Sequence, residues 1–274
     1  MFRISQLFIY PIKSLGGISV ETTQVSDRGF QYDRRYMLVD EHNRFLTQRE
    51  YPVMALLQTV IDGNDLLVYH KKSIDLRLRI SLIPENEGGA TRVQVWDDIC
   101  EAVYVSQSAD EWFSERIGLS CRLVYMPETS RRQVDTRYAL QDDITSFADG
   151  YPILMIGQSS LDDLNSRMQE ALPINRFRPN IVFTGGLPFE EDTMEHFIVN
   201  GIHCYAVKPC ARCVITTTDQ ETGMTGKEPL RTLSSYRRVN NQVWFGQNVL
   251  MEGSGFISVG DSIEVIKIKT ALVV

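Results

Sequence analysis

Several things are scarce or missing in this sequence of 274 residues, and each shortage closes a class of function. No apolar run approaches the ~20 residues that a membrane-spanning helix needs. The N-terminus, Met1-Phe2-Arg3-Ile4-Ser5, has neither an apolar signal core nor an amphipathic Arg/Ser-rich transit pattern. Positive charge is not in surplus: 28 Lys and Arg stand against 35 Asp and Glu, a net charge of −7. A general binder of nucleic-acid polymers or of membranes would carry the opposite balance. No Asn-x-Ser/Thr acceptor occurs, and the five cysteines are an odd number. A reducing cytoplasm is the expected setting, not an exported disulfide framework.

Familiar site signatures are missing too. Gly253-x-Gly255 is followed by Gly260 instead of a glycine three residues on, so there is no dinucleotide fingerprint. Gly226-Lys227 runs into Glu228, which excludes a P-loop, and no His-Glu-x-x-His occurs among four scattered histidines. Neither an internal repeat nor a low-complexity segment is visible.

What is present reads as an ordinary globular protein, 43% hydrophobic and 23% charged, large enough for one big domain or two intimately packed ones. The first half is strand-rich. Residues 2–10 predict a strand ended by Pro11, with Lys13 and Ser14 just past its end, where side chains commonly serve a site. Residues 18–25 predict a second strand. Residues 33–39 and 44–48 predict a hairpin in which Arg34 and Arg35, as strand neighbours, face opposite ways. Asp62-Gly63-Asn64-Asp65 marks another hairpin. Ile74, Leu76, Leu78, Ile80 and Leu82 alternate strictly, as in a half-buried strand. Residues 84–89 read as a loop, and 93–98 and 101–105 as strands. Trp96 is expected in the core, although Trp96 and Asp97 could border a site. Ser108 with Glu111 forms a capping box for a short helix stopped by Gly118.

Residues 127–150 lose apolar periodicity and mix Arg131, Arg132 and Arg137 with Asp135, Asp142, Asp143 and Asp149. Long unpatterned segments inside compact domains are uncommon and usually functional. This one is expected to link two halves and to wall an active site. An amphipathic helix follows over 158–168, and Asn200-Gly201 signals a hairpin whose second strand begins at Ile202.

That strand leads into Cys210-Ala211-Arg212-Cys213. The β-branched run 214–218 after it is expected to be extended. A zinc site would need a second, similarly spaced pair, and only His203 and Cys204 lie near, pointing to opposite faces of a strand. A thioredoxin-type dithiol opens a helix, whereas this pair runs into a predicted strand. There remain a thiolate favoured by Lys208 and Arg212, or two inert core thiols.

The run from Lys208-Pro209-Cys210-Ala211-Arg212-Cys213 to Thr217-Thr218-Asp219 resembles the signature of MOSC domains. It is most similar to bacterial YcbX-type reductases of N-hydroxylated compounds and to the mitochondrial amidoxime-reducing component. Further blocks extend the likeness over almost the whole chain: Tyr10-Pro11-Ile12-Lys13-Ser14, Asp33-Arg34, Ser146 to Pro152, Phe177-Arg178-Pro179-Asn180, and Lys227 to Leu233. The resemblance implies a mostly β, α+β chain, with an N-terminal β-barrel-like MOSC domain over residues 1–125 and a MOSC β-barrel over 126–270. It implies a molybdenum–molybdopterin cofactor with Cys213 as the metal ligand.

The other implied contacts are Lys13 and Ser14 to the molybdopterin, Arg34 to its phosphate, and Asp149, Gly150 and Tyr151 from the linking segment. Arg178 suits a phosphate by its bidentate guanidinium, and Asn180 a pterin edge by its amide. Ala211 stands where relatives often carry Ser, which removes one contact. The implied activity is reduction of small N-hydroxylated substrates such as hydroxylaminopurines, amidoximes and hydroxylamines. Asp149 would serve there as proton relay or orient its loop.

Electrons would come from an external flavoprotein reductase or iron–sulfur carrier, because the sequence ends where YcbX-type relatives continue into a ferredoxin-like domain. The alternative is a non-redox cofactor or sulfur carrier. Pyridoxal phosphate is also associated with the family, but no lysine here sits in a recognisable Schiff-base context.

Overall fold

The computed structural model describes residues 1–84 and 89–271. Seven strands close a barrel. In ring order they are Phe2–Ile9, Ile181–Thr184, Ile153–Gly157, Gln242–Glu252, Ile202–Arg212, Met194–Val199 and Ser262–Ile268, which pairs back with Phe2–Ile9. All neighbours are antiparallel except Ile153–Gly157 and Ile181–Thr184, which run parallel. Closure removes the open sheet edges that so many short strands would otherwise leave.

Alternation fills the interior: Leu7, Phe197, Val199, Ile202, Cys204 and Val249 are buried in one cluster. A bulge between Ile4 and Gln6 resets the alternation in the first strand, so that Ile4, Leu7 and Ile9 all turn inward. The Asn200-Gly201 hairpin forms as expected, both residues having positive φ (47° and 79°), as a tight two-residue turn requires. The first strand of the chain is thus a stave of a barrel otherwise built from residues 153–268.

The rest of the N-terminal half packs two sheets around its own core. A four-stranded sheet, ordered Tyr36–Val39, Arg122–Tyr125, Asp98–Tyr104, Ala90–Val95, faces the meander Leu57–Asp62, Asp65–His70, Ser73–Ser81. Leu38, Leu66, Val68, Leu78, Ile80 and Phe113 share that core. Phe113 comes from the helix Gln107–Ile117, which ends at Gly118 in the left-handed region, as expected. Its cap is Ser106, however, whose hydroxyl accepts from Ala109 N at 3.2 Å. The helix therefore opens two residues before the Ser108 capping box predicts.

Other expectations are adjusted by tertiary context. Residues 18–25 break into Ile18–Val20, paired with the first barrel strand, and Thr22–Ser26, paired with Gly255–Ser258. Leu78, Ile80 and Leu82 are buried, but Ile74 and Leu76 run past the core and are exposed. Trp96 is not a core residue: it occupies a two-residue turn at φ 56° and is 40% exposed. The predicted loop 84–89 falls mostly on residues outside those described. No helix among the described residues is long and apolar enough to cross a membrane.

Candidate active site

Two elements converge beside the barrel mouth. Strand Ile202–Arg212 keeps Ile202, Cys204 and Ala206 inside, then bulges between Ala206 and Lys208 and again between Pro209 and Ala211. Pro209 has no N–H to give the ladder, which favours such a break. The chain then leaves the sheet at Cys213 and enters a short 3-10 turn, Val214–Thr217. This corrects the extended reading of 214–218. Thr216 and Thr217 hydroxyls donate back to the Cys213 and Val214 carbonyls (3.0 and 2.7 Å). The buried Arg176 guanidinium donates to the Thr216 and Thr217 carbonyls and to Asp219, each at 3.0 Å. Three fixed acceptors outweigh the β preference of the side chains.

The facing wall is the unpatterned segment. Arg132, 4% exposed, donates to the Ser146 carbonyl (3.0 Å), the Ala148 carbonyl (2.5 Å) and the Asp149 carbonyl (3.3 Å), while its Nε pairs with Asp98. That one side chain ties down residues 146–149 beyond the short antiparallel pair Arg132–Gln133 with Ile144–Thr145, and Phe147 anchors the loop in the core beneath the four-stranded sheet.

Between the walls lies a cleft of about 630 Å³, counting the space open to solvent. Four cations, Lys13, Arg34, Arg178 and Arg212, line it against one carboxylate, Asp149. In a chain of net charge −7 this local reversal marks an anion site. Ser14, Arg34 and Arg178 all have positive φ (67°, 49° and 56°), conformations that cost non-glycine residues roughly 1–3 kcal/mol each and cluster at functional sites.

Lys13 is buried and donates to the Phe147 carbonyl at 2.7 Å and to Asp149 Oδ1 at 2.5 Å. Burial pulls its ammonium down to about 8, against the upward pull of Asp149. Arg34 does sit on the cleft side and Arg35 does turn away, to Glu128 and the Met126 carbonyl. The reason is not strand alternation, since Arg34 lies in a turn. Its guanidinium donates to Asp33 (2.6 Å) and Asn180 Oδ1 (2.9 Å) and packs 4.3 Å from the Tyr10 ring centroid.

Arg178 is 7% exposed and also lies over Tyr10, at 4.4 Å. It joins the hydrogen-bond network only through its carbonyl, which accepts from Arg34 at 3.3 Å. None of its N–H groups finds an acceptor among the described residues. Burial pulls it down to about 10. Asn180 differs from expectation: its oxygen accepts from Arg34 and from Leu154 N, and its nitrogen donates to the Phe8 carbonyl. The amide orients Arg34 and keeps one N–H for a ligand.

Both sulfurs of the Cys-x-x-Cys meet a guanidinium. Cys210, which borders the cleft, accepts from Arg212 Nη1 at 3.0 Å. Cys213 accepts from Arg49 Nε at 3.0 Å, and Arg49 Nη2 reaches Asp149 Oδ2 at 3.1 Å. A bulge and the turn separate the two thiols from the regular strand, and each has its own guanidinium partner. Arg49 was not visible as a site residue in the sequence. It comes from the N-terminal half and packs 4.4 Å from Trp96, so the exposed Trp96 borders the site after all. Burial would raise the Asp149 carboxyl, yet Lys13 and Arg49 hold it far below the usual range.

Gly150 and Tyr151 line the cleft, and a Cβ at Gly150 would meet no atom within 4 Å, so the position leaves open space. Tyr151 OH and Arg212 Nε are buried without a partner. Ala211 is exposed and does not border the cleft.

Lys13 carries a pH dependence whose sign is fixed. Below about 8 its ammonium is charged and attracts an anion; above, that attraction is lost. Sulfate binding to the cofactor-free protein is expected to weaken roughly tenfold between about pH 7 and pH 9, one charge-assisted contact being lost. Lys13→Met should bind weakly at both ends, and a wild-type titration as flat as the variant's would disprove the role.

Comparison with known proteins gives the family. Residues 1–120 match the MOSC N-terminal beta barrel domain and residues 142–264 the MOSC domain. Mitochondrial amidoxime-reducing component 1 from Mus musculus is 31% identical over 95% of this chain and 81% of its own length. The Homo sapiens protein of that name is 30% identical over 95% and 82%. A molybdenum cofactor sulfurase from Oryza sativa is 31% identical over 89% of this chain, which spans 32% of that protein. The chain belongs to the MOSC-domain family that includes the mitochondrial amidoxime-reducing components.

Proposed function

We propose that the cleft holds a molybdenum–pterin cofactor and that the chain uses it to reduce N-hydroxylated compounds by removing their N-linked oxygen. The observation that supports this best is Arg178, a residue only 7% exposed that lines the cleft and whose N–H groups meet no acceptor among the described residues. A buried cation without an anion is too costly to be an accident of packing.

The donor set suits such a cofactor: three cations line the cleft for a phosphate, and the soft sulfur of Cys213, although it does not itself line the cleft, is tied through Arg49 to Asp149 in its wall. When bound, the cofactor would supply two-electron chemistry and a position that accepts the substrate oxygen. The chain's own work is to bind and orient. Lys13, Arg34 and Arg178 hold the anion, Cys213 is the ligand sulfur, and Arg49 fixes that sulfur relative to Asp149. Asp149 stays ionised and so acts as an anchor in preference to a proton relay. Lys13 Nζ, pulled down to about 8 by its burial, holds a proton in the cleft that can exchange near neutral pH.

A second reading, non-redox carriage of the cofactor or of its sulfur, draws on the likeness to the sulfurase. A turnover assay with benzamidoxime separates the two. The primary test is elemental analysis of protein made in molybdenum-replete cells. Near-stoichiometric molybdenum supports the proposal, and zinc alone overturns it.

Arg178 should act on the cofactor and not on the fold, whereas Arg34 also compensates the buried Asp33, so its loss should lower stability as well. Arg178→Ala or Arg34→Ala removes a charge-assisted contact worth about 1.5–3 kcal/mol, or roughly tenfold or more in cofactor affinity. Arg178→Ala should leave the cofactor-free melting temperature unchanged or raise it, since an uncompensated buried charge disappears. Full molybdopterin occupancy in either variant after gel filtration would refute that residue's assignment.

A further inference from the structure

The cleft already holds an anion of its own. Asp149 is the single carboxylate among its lining residues, and it meets Lys13 Nζ at 2.5 Å and Arg49 Nη2 at 3.1 Å. Its side chain is 59% exposed and that of Lys13 only 5%. The carboxylate therefore keeps contact with water, whereas the ammonium depends on it.

The contacts allow a charge count. Lys13 is matched by Asp149, and Arg34 by the buried Asp33 at 2.6 Å. Arg212 donates to the Cys210 sulfur (3.0 Å) and to the Phe177 carbonyl (2.8 Å), neither of which is a carboxylate. Arg178 meets no acceptor at all among the described residues. Arg49, outside the lining, divides its N–H groups between Asp149 and the Cys213 sulfur. Four lining cations against Asp149 and Asp33 leave two positive charges in excess. That is close to the charge of one phosphate monoester, with opposite sign. Without Asp149 the excess would be three.

We propose, building on the anion site of the proposed function, that the fixed charge of Asp149 sets the anion specificity of the cleft. It matches the cleft to a phosphate monoester and works against more highly charged anions such as diphosphates. Repulsion between like charges grows in proportion to the charge of the ligand. Asp149 thus lowers the affinity for every anion, least for a monoanion and most for a diphosphate. A residue that simply bound the ligand would act with the opposite sign.

The test is calorimetric titration of the cofactor-free full chain near neutral pH with benzenesulfonate, phenyl phosphate and inorganic pyrophosphate. These probes carry one, about two and about three negative charges. Asp149→Asn is expected to strengthen their binding roughly threefold, tenfold and thirtyfold respectively. Asp149→Ser, a second neutral variant, should behave alike. Asp149→Glu keeps the charge and should stay within about threefold of the wild type for each probe. Thermal melts establish which variants are folded. Unchanged or weaker phosphate and pyrophosphate binding in a folded neutral variant overturns the proposal. So does a gain equal for all three probes, or no saturable binding of phenyl phosphate to the wild type at millimolar concentrations. Molybdenum content of the wild type is measured separately and reports on the proposed function, so either reading can fail without the other.

Discussion

Cys213→Ser is expected to abolish both molybdenum retention and turnover, whereas Cys210→Ser should leave most of each. Removing an outer partner of a metal ligand typically costs 10–100-fold in affinity. Losing the ligand itself should exceed that, since a hydroxyl is a hard, poorly ionised substitute for a soft thiolate. The two sulfurs are distinguished by their neighbours. Cys213 is joined through Arg49 to Asp149, and through Asp149 to Lys13. Cys210 is held by Arg212, which is tied to the Phe177 carbonyl at 2.8 Å. Both cysteines are half-buried and free, so serine should be tolerated at either without loss of the fold. Equal loss in the two variants would point to a dithiol or zinc site in place of a single ligand sulfur.

Pure protein mixed with NADPH and benzamidoxime is expected to give no turnover above background until an electron carrier is added. Each removal of an N-linked oxygen consumes two electrons, which must be returned. The three cysteines outside the motif cannot gather around a cluster, because they lie in three separate cores: Cys100 beneath the four-stranded sheet, Cys121 in the N-terminal core and Cys204 inside the barrel. Burial pushes Cys100 and Cys121 up to about 11 and Cys204 up to about 12, so none is a thiolate at neutral pH. The sequence carries no dinucleotide fingerprint either. A flavoprotein reductase or an iron–sulfur carrier should restore the rate. Robust turnover in the first mixture would reveal a redox centre within the chain itself and remove the need for a partner.

The residues that the sequence singles out fall together because each sits beside a local signal. Lys13 and Ser14 follow a strand stopped by proline, Arg178 and Asn180 flank Pro179, and the cysteines end a long strand. Arg49, Arg132 and Arg176 carry no such mark. Their roles depend on acceptors 164, 14 and 40 residues away in sequence, for Cys213, the Ser146 carbonyl and the Thr216 carbonyl respectively. Composition and periodicity are blind to pairings of that range. The same limit explains two local misreadings. The 214–218 run has strand-forming side chains, but Arg176 and the threonine hydroxyls fold it into a turn. Trp96 has a core-forming side chain, but the tight turn at positive φ turns it outward, against Arg49. Asn180 shows a subtler case, since its amide suits a ligand by type yet is largely engaged within the fold.

The first strand, Phe2–Ile9, is a stave between Ile181–Thr184 and Ser262–Ile268. During synthesis its last neighbour, Ser262–Ile268, emerges only after residues 10–261 have been made. At about 5–20 residues per second that delay is on the order of tens of seconds. Throughout it, Leu7 and Ile9 have no closed barrel interior to enter, and the pairing of Phe2 and Arg3 with Ser262 and Ile263 is still unmade. Folding of the barrel is therefore gated by the final strand and not by the first, and contacts spanning almost the entire sequence make it intrinsically slow. A ribosome-bound chain stopped short of Ser262 would present an open, aggregation-prone sheet, so in the cell this stave is an early client for whatever shields nascent β-strands.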